Sequence, residues 1–198
     1  LYSLDESALP ADHQGCCTLD DVEDARTVCR KLDIPHYVLN MEREFRSHVM
    51  DYFVSEYQKG RTPHPCIACN DKIKFNFLLR RSLTLEADYI ATGHYARRRY
   101  ENHCWHLLKG IDVGKDQSYV LHTLRQNELE RVLLPIGGYP KTEIREIARR
   151  ANLPVADKPD SQDICFIQAA TIVHFCKTDS LPDQATSLIP LELSLIHI

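Results

Sequence analysis

The sequence has no long hydrophobic run, little glycine and little net charge. No stretch of about 18 consecutive apolar residues occurs, as a transmembrane helix would need, and the first residues lack the basic and apolar regions of a signal peptide. The 7 glycines and 10 prolines are scattered among 198 residues, which excludes collagen-like and low-complexity chains. These absences indicate an ordinary globular protein, which we expect to be cytoplasmic and without membrane attachment.

The net charge of −4 provides no basic field that would by itself indicate nucleic-acid binding. Any such binding must therefore depend on local groups, although short basic groups are more often solvated faces than phosphate sites. The local groups are Lys72 with Lys74, Arg80-Arg81, Arg97-Arg98-Arg99, and Arg145 with Arg149-Arg150.

Helical and strand patterns alternate along most of the chain. Apolar residues at helical spacing predict helices at 18–32, 43–59, 71–83 and 142–151, with shorter helical patterns at 117–124 and 127–132. Short β-prone runs predict strands at 37–39 and 88–91, and a hairpin that joins 96–100 to 104–108. This order predicts an α/β domain with a mainly parallel sheet, whose ligand site lies at the carboxyl ends of the strands, near Thr92-Gly93-His94.

A C-x-x-C motif, Cys66-Ile-Ala-Cys69, stands between a proline-rich loop and a helix. Each proline favours extended geometry in the residue before it, so Thr62 to Cys66 is predicted to be a loop and Asn70 to cap the helix that follows. Amide groups and the helix dipole stabilise a thiolate near a helix N-terminus, and Lys72 and Lys74 would add to this effect. A second candidate thiol is Cys165, which lies where a polar loop enters an apolar run.

Zinc binding is the alternative for the C-x-x-C motif, because this spacing is a common zinc half-site. No second C-x-x-C or H-x₃₋₅-H pair is present, so a closed site would have to recruit scattered residues such as His94, Cys165 or Cys176. A thioredoxin-like motif would follow a strand rather than a proline-rich loop. Spacing alone therefore favours thiol chemistry over zinc and leaves both open; the remaining cysteines, Cys16, Cys17, Cys29, Cys104 and Cys176, are predicted to be structural.

Several motifs occur in an order that strongly resembles the tRNA-specific 2-thiouridylase family. They are Cys66-x-x-Cys69-Asn70-x-x-Ile73-Lys74-Phe75, Ala91-Thr-Gly-His-Tyr-Ala-Arg97, Gly110-x-Asp112-x-x-Lys115-Asp116-Gln117-Ser118-Tyr119 and Lys158-x-Asp160-Ser161-Gln162-x-Ile164-Cys165-Phe166. Gly15-Cys16-Cys17, Pro135-x-Gly137 and Lys141-x-Glu143-x-Arg145 are similar to family positions as well. The resemblance extends from about Gly15 to Phe175.

The resemblance implies a PP-loop, adenine nucleotide α-hydrolase-like (Rossmann-like) domain with a parallel sheet. Such an enzyme uses ATP and Mg²⁺ to adenylate the C2 oxygen of the wobble uridine, and a persulfide sulfur then displaces AMP. By position, Cys69 matches the nucleophilic cysteine and Cys165 the cysteine that receives the persulfide, and the two would alternately form a disulfide. A thiolate can release sulfur from a persulfide in this way.

The resemblance also implies contacts with ATP and with tRNA, and a partner protein that donates or relays the persulfide sulfur. Gly93 matches a nucleotide-contacting glycine, and no residue is assigned to a metal. Many relatives carry Asp at the position of Cys66, so a general-base role is not transferred to this residue. The positions that match tRNA contacts are His64, Pro65, Cys66, His94, Lys115, Asp116 and Gln117. Lys72, Arg97 and Lys115 are candidates for phosphate contacts.

The sequence also departs from the family pattern. No Ser-Gly-Gly-x-Asp-Ser loop precedes Gly15, and the residues from Lys177 onwards match no family segment. We therefore expect an incomplete catalytic domain at 1–133, the start of a helical central domain with the second cysteine loop at 134–176, and an unassigned tail at 177–198. A chain of this kind is expected to be an internal fragment that cannot activate uridine alone.

Two other functions remain as alternatives. One is a zinc-stabilised module that binds tRNA or protein and uses Cys66 and Cys69 structurally. The other is a different PP-loop enzyme, such as an amidotransferase-linked synthetase, but this would not explain the Cys165 loop.

Overall fold

A computed structural model describes residues 19–160, 164–167 and 191–192. Within these residues helices alternate with short strands. The helices are α1 (Leu19–Lys31), α2 (three consecutive segments, Glu42–Phe45, Arg46–Met50 and Asp51–Gln58), α3 (Pro65–Ala68, Cys69–Leu78 and Leu79–Thr84), α4 (Gln126–Arg131) and α5 (Lys141–Arg150). The strands are β1 (Val38–Leu39), β2 (Ile90–Ala91), β3 (Ala96–Glu101), β4 (Cys104–Lys109), β5 (Val132–Leu133) and β6 (Leu191–Glu192).

The strands form three separate pairs. β2 and β5 are parallel, with Ile90 opposite Val132 and Ala91 opposite Leu133. β3 and β4 form an antiparallel hairpin, and β1 pairs antiparallel with β6. A parallel pair needs a long crossover connection, and here β3, β4 and α4 make up that crossover. This arrangement of helices around a parallel strand pair confirms the predicted α/β class with a parallel sheet.

The hairpin turn consists of two residues, Asn102 and His103. Both have positive φ angles, 51° and 61°, which is the backbone geometry of a type I′ turn and matches the twist of the flanking strands. Glu101 pairs with Cys104, so Glu101 belongs to the strand and not to the three-residue connection predicted from the sequence.

In the described part of the chain, two apolar clusters form the core. The first, which we call the aromatic cluster, consists of Met41, Phe45, Val49, Met50, Phe53, Ile73 and Phe166. The ring of Phe166 packs edge to face against Phe45 and Phe53, at centroid distances of 5.7 and 5.3 Å. The second, the strand cluster, consists of Phe75, Leu78, Leu79, Ile90, Ala96, Val120, Leu121, Val132 and Leu134. Helix α3 contributes to both clusters and so connects them.

Helix α3 begins earlier than the sequence analysis predicted. Pro65 is its first residue and His64 is extended, with φ −113° and ψ 94°. Proline is favoured at the first helical position because its missing N–H would have no intrahelical partner there, and the extended residue before it is the conformation that proline imposes. The prediction that the loop continues through Cys66 is therefore wrong. Asn70 lies inside the helix, buried, and is not its N-cap.

Two other local predictions need correction, whereas that for helix α5 does not. The pattern at 127–132 was predicted to be helical throughout, but Val132 leaves the helix and pairs with β2, since a buried β-branched residue fits the sheet. The helix predicted at 117–124 is a short 3₁₀ turn at Ser118–Leu121. Helix α5 matches its predicted extent within a residue, but none of its residues is buried among the described part of the chain.

Gly137 lies where two backbone segments approach closely. A Cβ atom at this position would stand 1.7 Å from the carbonyl oxygen of Ala96, so no other residue fits without movement of β3. The amide of Ile111 also donates to the Gly137 carbonyl, at 3.0 Å. The segment after β5 is thus attached to the hairpin, and the predicted domain boundary at 133/134 stays a prediction.

Some predicted positions lie outside the described residues. These are Gly15, Cys16, Cys17, Ser161, Gln162, Cys176 and all of the predicted tail at 177–198 except Leu191–Glu192. Within the part of the chain that the structure describes, no helix combines the length and apolar character needed to cross a membrane.

Candidate active site

The two cysteines of the C-x-x-C motif lie in the first turns of helix α3. Cys66 is the second helical residue and is exposed, whereas Cys69 is half-buried one turn further along. The helix dipole acts mainly on the first turn, so it favours a thiolate at Cys66 more than at Cys69. Lys72 pairs with Asp71 at 2.8 Å, which offsets part of the positive charge that the sequence analysis assigned to it.

Cys69 and Cys165 pack against the same apolar cluster, although almost a hundred positions separate them in the sequence. Both are partly buried against the aromatic cluster, and Phe166, the residue after Cys165, is one of its buried members. The fold therefore brings the two predicted catalytic cysteines to one region.

A second contact joins the cysteine helix to the stretch that contains Lys115, Asp116 and Gln117. The Asn70 side chain donates a hydrogen bond to the carbonyl of Val120, at 3.1 Å, in the 3₁₀ turn that follows this stretch. The rings of His64 and Tyr119 also meet edge to face, with centroids 5.8 Å apart. His64 itself is exposed, and Pro65 is buried. The loop before α3 and the 3₁₀ turn thus lie side by side.

Asp116 and Gln117 use their polar atoms inside the protein. The Asp116 carboxylate accepts hydrogen bonds from the Gly110 amide at 2.8 Å and from the Ser118 hydroxyl at 2.9 Å. Burial raises the pKa of Asp116, but these hydrogen bonds outweigh it and hold the pKa below its usual value. The backbone amide of Gln117 donates a hydrogen bond to the Tyr95 carbonyl, and the side-chain oxygen of Gln117 accepts one from the Tyr95 backbone amide. Both residues fold the loop against β3.

Lys115, in contrast, is exposed and reaches a distant carboxylate. Its ammonium nitrogen lies 2.8 Å from Asp160 Oδ2, and the Lys141 ammonium lies 2.9 Å from Asp160 Oδ1. Arg145 approaches the same carboxylate at 3.8 Å. Hydrogen bonds from Lys115 and Lys141 lower the pKa of Asp160 to about 2, so this side chain is charged at every physiological pH.

The chain before Cys165 is held by further ion pairs. Asp157 accepts from Arg149 at 2.7 Å. The Lys158 ammonium lies 2.6 and 2.5 Å from carboxylate oxygens of Asp21 and Asp24, on α1. The Lys158 carbonyl accepts from Arg145 at 3.1 Å. We call residues 157–160 and 164–167 the Cys165 segment; charged side chains fix its first part, and Phe166 fixes its second part.

Gly93 and His94 follow the carboxyl end of β2, as predicted. Gly93 is exposed, and the nearest atom to a Cβ added there would be Ile136 Cδ1, at 3.9 Å. His94 is buried, and its Nδ1 lies 2.8 Å from the Thr92 hydroxyl. Burial, together with the nearby Lys74 charge, lowers the pKa of His94 to about 3. Its imidazole is therefore neutral at pH 7.

The arginines of β3 have separate local partners. Arg98 donates to the carbonyls of Leu129 and Glu130 at the end of α4, and its guanidinium lies 4.3 Å from the centroid of the Trp105 ring. Arg97 donates to the Lys109 carbonyl at 2.9 Å, and Arg99 pairs with Glu101 at 2.8 Å. Alternation along the strand places Arg97 and Arg99 on the exposed face, which leaves them as the candidates for phosphate contacts on this strand.

A groove of about 590 Å³ lies beside β1. None of the predicted site residues lines it. Its lining residues are Val38, Leu39, Asn40, Met41, Glu44, Phe77, Arg80, Arg81 and Thr84.

Among the residues that the structure describes, the C-x-x-C motif has no cluster of metal ligands around it. In the described ranges, no group of three or more His, Cys, Asp or Glu side chains is arranged to hold a metal ion. Among the described cysteines, Cys29 is buried, as predicted for a structural residue, whereas Cys104 is half-buried and its sulfur lies 3.1 Å from His106 Nε2.

Sequence reasoning missed three residues that shape the site. Asn70 was interpreted as a helix cap, and its hydrogen bond to Val120 was not foreseen. Asp160 and Lys141 were quoted only as family positions. The sequence did offer a signal for an ion-pair cluster. Lys141 and Arg145 lie on one face of a predicted helix, and an acidic residue stands before Cys165.

This chain is similar to one family model and to several curated proteins that share one name. A family model described as tRNA methyl transferase HUP domain matches residues 2–169. The tRNA-specific 2-thiouridylase MnmA of Lachnoclostridium phytofermentans is 55% identical over 168 residues, which are 84% of this chain and 47% of that protein. MnmA 1 of Thermoanaerobacter pseudethanolicus is 52% identical over 165 residues, 82% of this chain and 45% of that protein. MnmA of Geobacter metallireducens is 51% identical over 165 residues, 83% and 45% respectively. The chain spans about half the length of the curated relatives it matches.

Proposed function

Because the chain belongs to the tRNA methyl transferase HUP domain family, we propose that it carries the sulfur-transfer site of a tRNA 2-thiouridylase. The curated relatives cited above are named tRNA-specific 2-thiouridylases. The observation that carries the proposal is the packing of Cys69 and Cys165 against one apolar cluster, because sulfur transfer between two thiols requires them to be neighbours.

In this proposal Cys165 holds the sulfur as a persulfide and Cys69 releases it. The Cys69 thiolate attacks the inner sulfur of the Cys165 persulfide, the Cys69–Cys165 disulfide forms, and hydrosulfide leaves. Hydrosulfide then attacks C2 of the adenylated uridine, the bond from C2 to its oxygen breaks, and AMP leaves with that oxygen. The disulfide must afterwards accept two electrons from a thiol reductant before the next turnover. A partner protein that carries a persulfide supplies Cys165 again.

ATP is the co-substrate of the proposed reaction and supplies the adenylate that makes the uridine C2 oxygen a leaving group. Gly93 is proposed to contact it, because ligands of open α/β sheets bind at the carboxyl ends of parallel strands. The open space beside Gly93 fits a role in which a ligand approaches the backbone closely. The buried neutral His94, bonded to Thr92, holds the shape of this turn.

Mg²⁺ is expected with ATP, but the carboxylates near the site do not fit it. Asp116 accepts hydrogen bonds from Gly110 and Ser118, and Asp160 is ion-paired with Lys115 and Lys141. We therefore assign no described residue to the metal and derive no step from it.

The tRNA is proposed to lie along the surface formed by the loop before α3 and the Lys115 stretch. His64, Cys66 and Lys115 are exposed there, and Lys115 is the residue suited to a phosphate contact. Asp116 and Gln117 contribute by folding the loop. Pro65 fixes the start of the helix between the exposed residues His64 and Cys66, which are at the place proposed for the flipped base.

The sulfur-transfer step is tested by loading the chain with glutathione persulfide as the donor. We expect mass spectrometry to find one extra sulfur on Cys165, followed in the wild-type chain by hydrosulfide release and a Cys69–Cys165 disulfide. Cys69→Ser should keep the persulfide on Cys165, because the attacking thiolate is gone. Cys104→Ser, whose thiol contacts Glu101 and His106 on the hairpin, is the control and should behave as the wild type. A Cys165 persulfide that lasts equally long in the wild type and in Cys69→Ser would contradict the proposal.

The ATP contact is tested separately with Gly93→Ala. The added methyl group meets only ordinary van der Waals contact within the chain, so the free energy of unfolding should stay unchanged. ATP affinity, measured by isothermal titration calorimetry, should fall by about tenfold because the methyl group occupies the space of the ligand. An unchanged affinity would remove Gly93 from the nucleotide site.

A further inference from the structure

Three cationic side chains surround the single negative charge of the Asp160 carboxylate. Lys115 comes from the loop before the 3₁₀ turn, whereas Lys141 and Arg145 come from consecutive turns of α5. Lys141 is also the first residue of this ten-residue helix, where the dipole favours a negative group. Three cations from two separate parts of the chain thus fix the position of one side chain.

Asp160 lies five residues before Cys165, and a chain of this length spans at most about 17 Å. On the other side of Cys165, the Phe166 ring is buried against Phe45 and Phe53. Cys165 is therefore held between an ionic attachment and an apolar attachment. Phe166 keeps Cys165 on the aromatic cluster, and the ion pairs of Asp160 fix the chain five residues before Cys165.

The partners of Asp160 also belong to the surroundings of Cys69. Lys115 begins the stretch that leads to Val120, whose carbonyl accepts the hydrogen bond from Asn70, the residue next to Cys69. The connection from Cys69 to Asp160 thus consists of the Asn70–Val120 hydrogen bond, the backbone between Val120 and Lys115, and the Lys115–Asp160 ion pair.

We propose that Asp160 is a positioning residue for sulfur transfer, which places Cys165 for reaction with Cys69 through its ion pairs with Lys115 and Lys141. It acts through these contacts and touches neither sulfur. This inference rests on the proposed function, because it concerns the approach of the same two thiols. Lys115 lies on the surface proposed for tRNA and also pairs with Asp160. The proposal therefore links that surface to Cys165.

The test measures how fast Cys69 and Cys165 form a disulfide. Diamide, an azo compound, takes two electrons and two protons from the two thiols, and quenching followed by peptide mapping gives the rate constant. Asp160→Asn removes the charge and keeps the shape, and it should slow disulfide formation by about tenfold, because orientation of the reacting groups is lost. Asp160→Glu should restore most of the rate.

Asp157→Asn is the matched control. Asp157 lies on the same segment and pairs with Arg149 on α5 rather than with the Lys115 stretch, so its loss should leave the rate within about twofold of the wild type. The alkylation rate of Cys165 by iodoacetamide should be the same in all variants. A general loosening of the segment would instead raise it, which separates positioning from a merely structural role.

Salt provides an independent measurement, because the pairs of Asp160 are partly exposed and therefore screened. Disulfide formation in the wild type should slow at 1 M NaCl towards the rate of Asp160→Asn, whose own rate should change little. If Asp160→Asn does not fold, the double variant Lys115→Met, Lys141→Met removes the same ion pairs from the other side and should give the same slow rate.

The outcomes distinguish the two proposals. A wild-type chain that forms no Cys69–Cys165 disulfide under any condition would overturn the proposed function. A wild-type chain that forms it, with Asp160→Asn and the double lysine variant forming it equally fast, would overturn the positioning role alone.

Discussion

The hairpin region and the Cys165 segment are held in place by different kinds of contact. In the hairpin region, which comprises β3, β4 and the loop to Gln117, main-chain groups meet each other directly, as at Gly137 against Ala96 and at Gln117 against Tyr95. In the Cys165 segment, side chains make the attachments, through Phe166 on one side and Asp157, Lys158 and Asp160 on the other. A region built from backbone contacts does not tolerate added atoms, whereas one built from side chains is sensitive to their removal.

The largest expected effect breaks the apolar attachment of the Cys165 segment. Phe166→Ala leaves a cavity beside Phe45 and Phe53 and should lower the free energy of unfolding by about 3–5 kcal/mol, as measured by urea denaturation. Phe166→Leu keeps most of the volume and should cost clearly less. A loss below about 1 kcal/mol in Phe166→Ala would mean that the segment does not depend on this ring.

The next effect adds an atom to the hairpin region. Gly137→Ala places a methyl group on the Ala96 carbonyl, so β3 must shift, and we expect a loss of about 3 kcal/mol in the free energy of unfolding. Gly138→Ala is the neighbouring control, since nothing lies within 4 Å of its added Cβ, and it should be nearly neutral. Equal stabilities of the two variants would show that backbone approach does not govern this region.

The next prediction concerns how the free energy of unfolding depends on pH through His94, which contacts Phe75 of the strand cluster. Its pKa is about 3 in the folded chain and 6.5 is the ordinary value. Above pH 6.5 the imidazole is neutral in both states, so it contributes no pH dependence. Between pH 6.5 and 3 the unfolded chain binds a proton that the folded chain does not, and stability falls as the pH falls.

At pH 5 this loss should amount to about 2 kcal/mol relative to pH 7.5. His94→Gln removes the titrating group, so its stability should change less over the same range. The difference between the two denaturation series isolates His94 from the carboxyl groups. Parallel series for the wild type and His94→Gln would contradict the buried neutral imidazole.

The smallest effect removes one ionic attachment of the Cys165 segment. Lys158→Met keeps the apolar part of the side chain and loses the pairs with Asp21 and Asp24, which are partly exposed. We expect a loss of at most about 1 kcal/mol in dilute buffer that disappears at high salt. Thermal denaturation at two salt concentrations measures it, and a loss that persists at high salt would indicate packing rather than charge.

The same contrast explains what the sequence could and could not predict. Local patterns located α1, the helix at 42–58, the hairpin and α5, because each depends on spacing within a short stretch. The start of α3 was predicted too late, since the proline rule was applied to the loop and not to the first helical position that Pro65 occupies. Val132 was assigned to a helix because its pairing partner, Ile90, lies far away in the sequence.

In the candidate site, too, local motifs could be predicted, whereas contacts between residues distant in sequence could not. Family motifs pointed to Cys69 and Cys165, but spacing could not show that helix α3 and Phe166 would bring the two cysteines to one cluster. The role of Asp160 depends on Lys115 and Lys141, which are remote from it and from each other in the chain. The residue pattern within one helix or strand does not show which distant residues it will contact. These ion pairs could therefore be identified only from the folded structure.

The stacking of Arg98 on Trp105 has a consequence for spectroscopy. Trp105 is the only tryptophan in the chain, and it also lies 5.1 Å from the ring of Tyr100, so its emission senses the hairpin and its immediate surroundings. Fluorescence will report when the hairpin opens and will stay unchanged when the Cys165 segment detaches. Unfolding followed by fluorescence and by circular dichroism should therefore separate whenever the two regions lose structure at different denaturant concentrations.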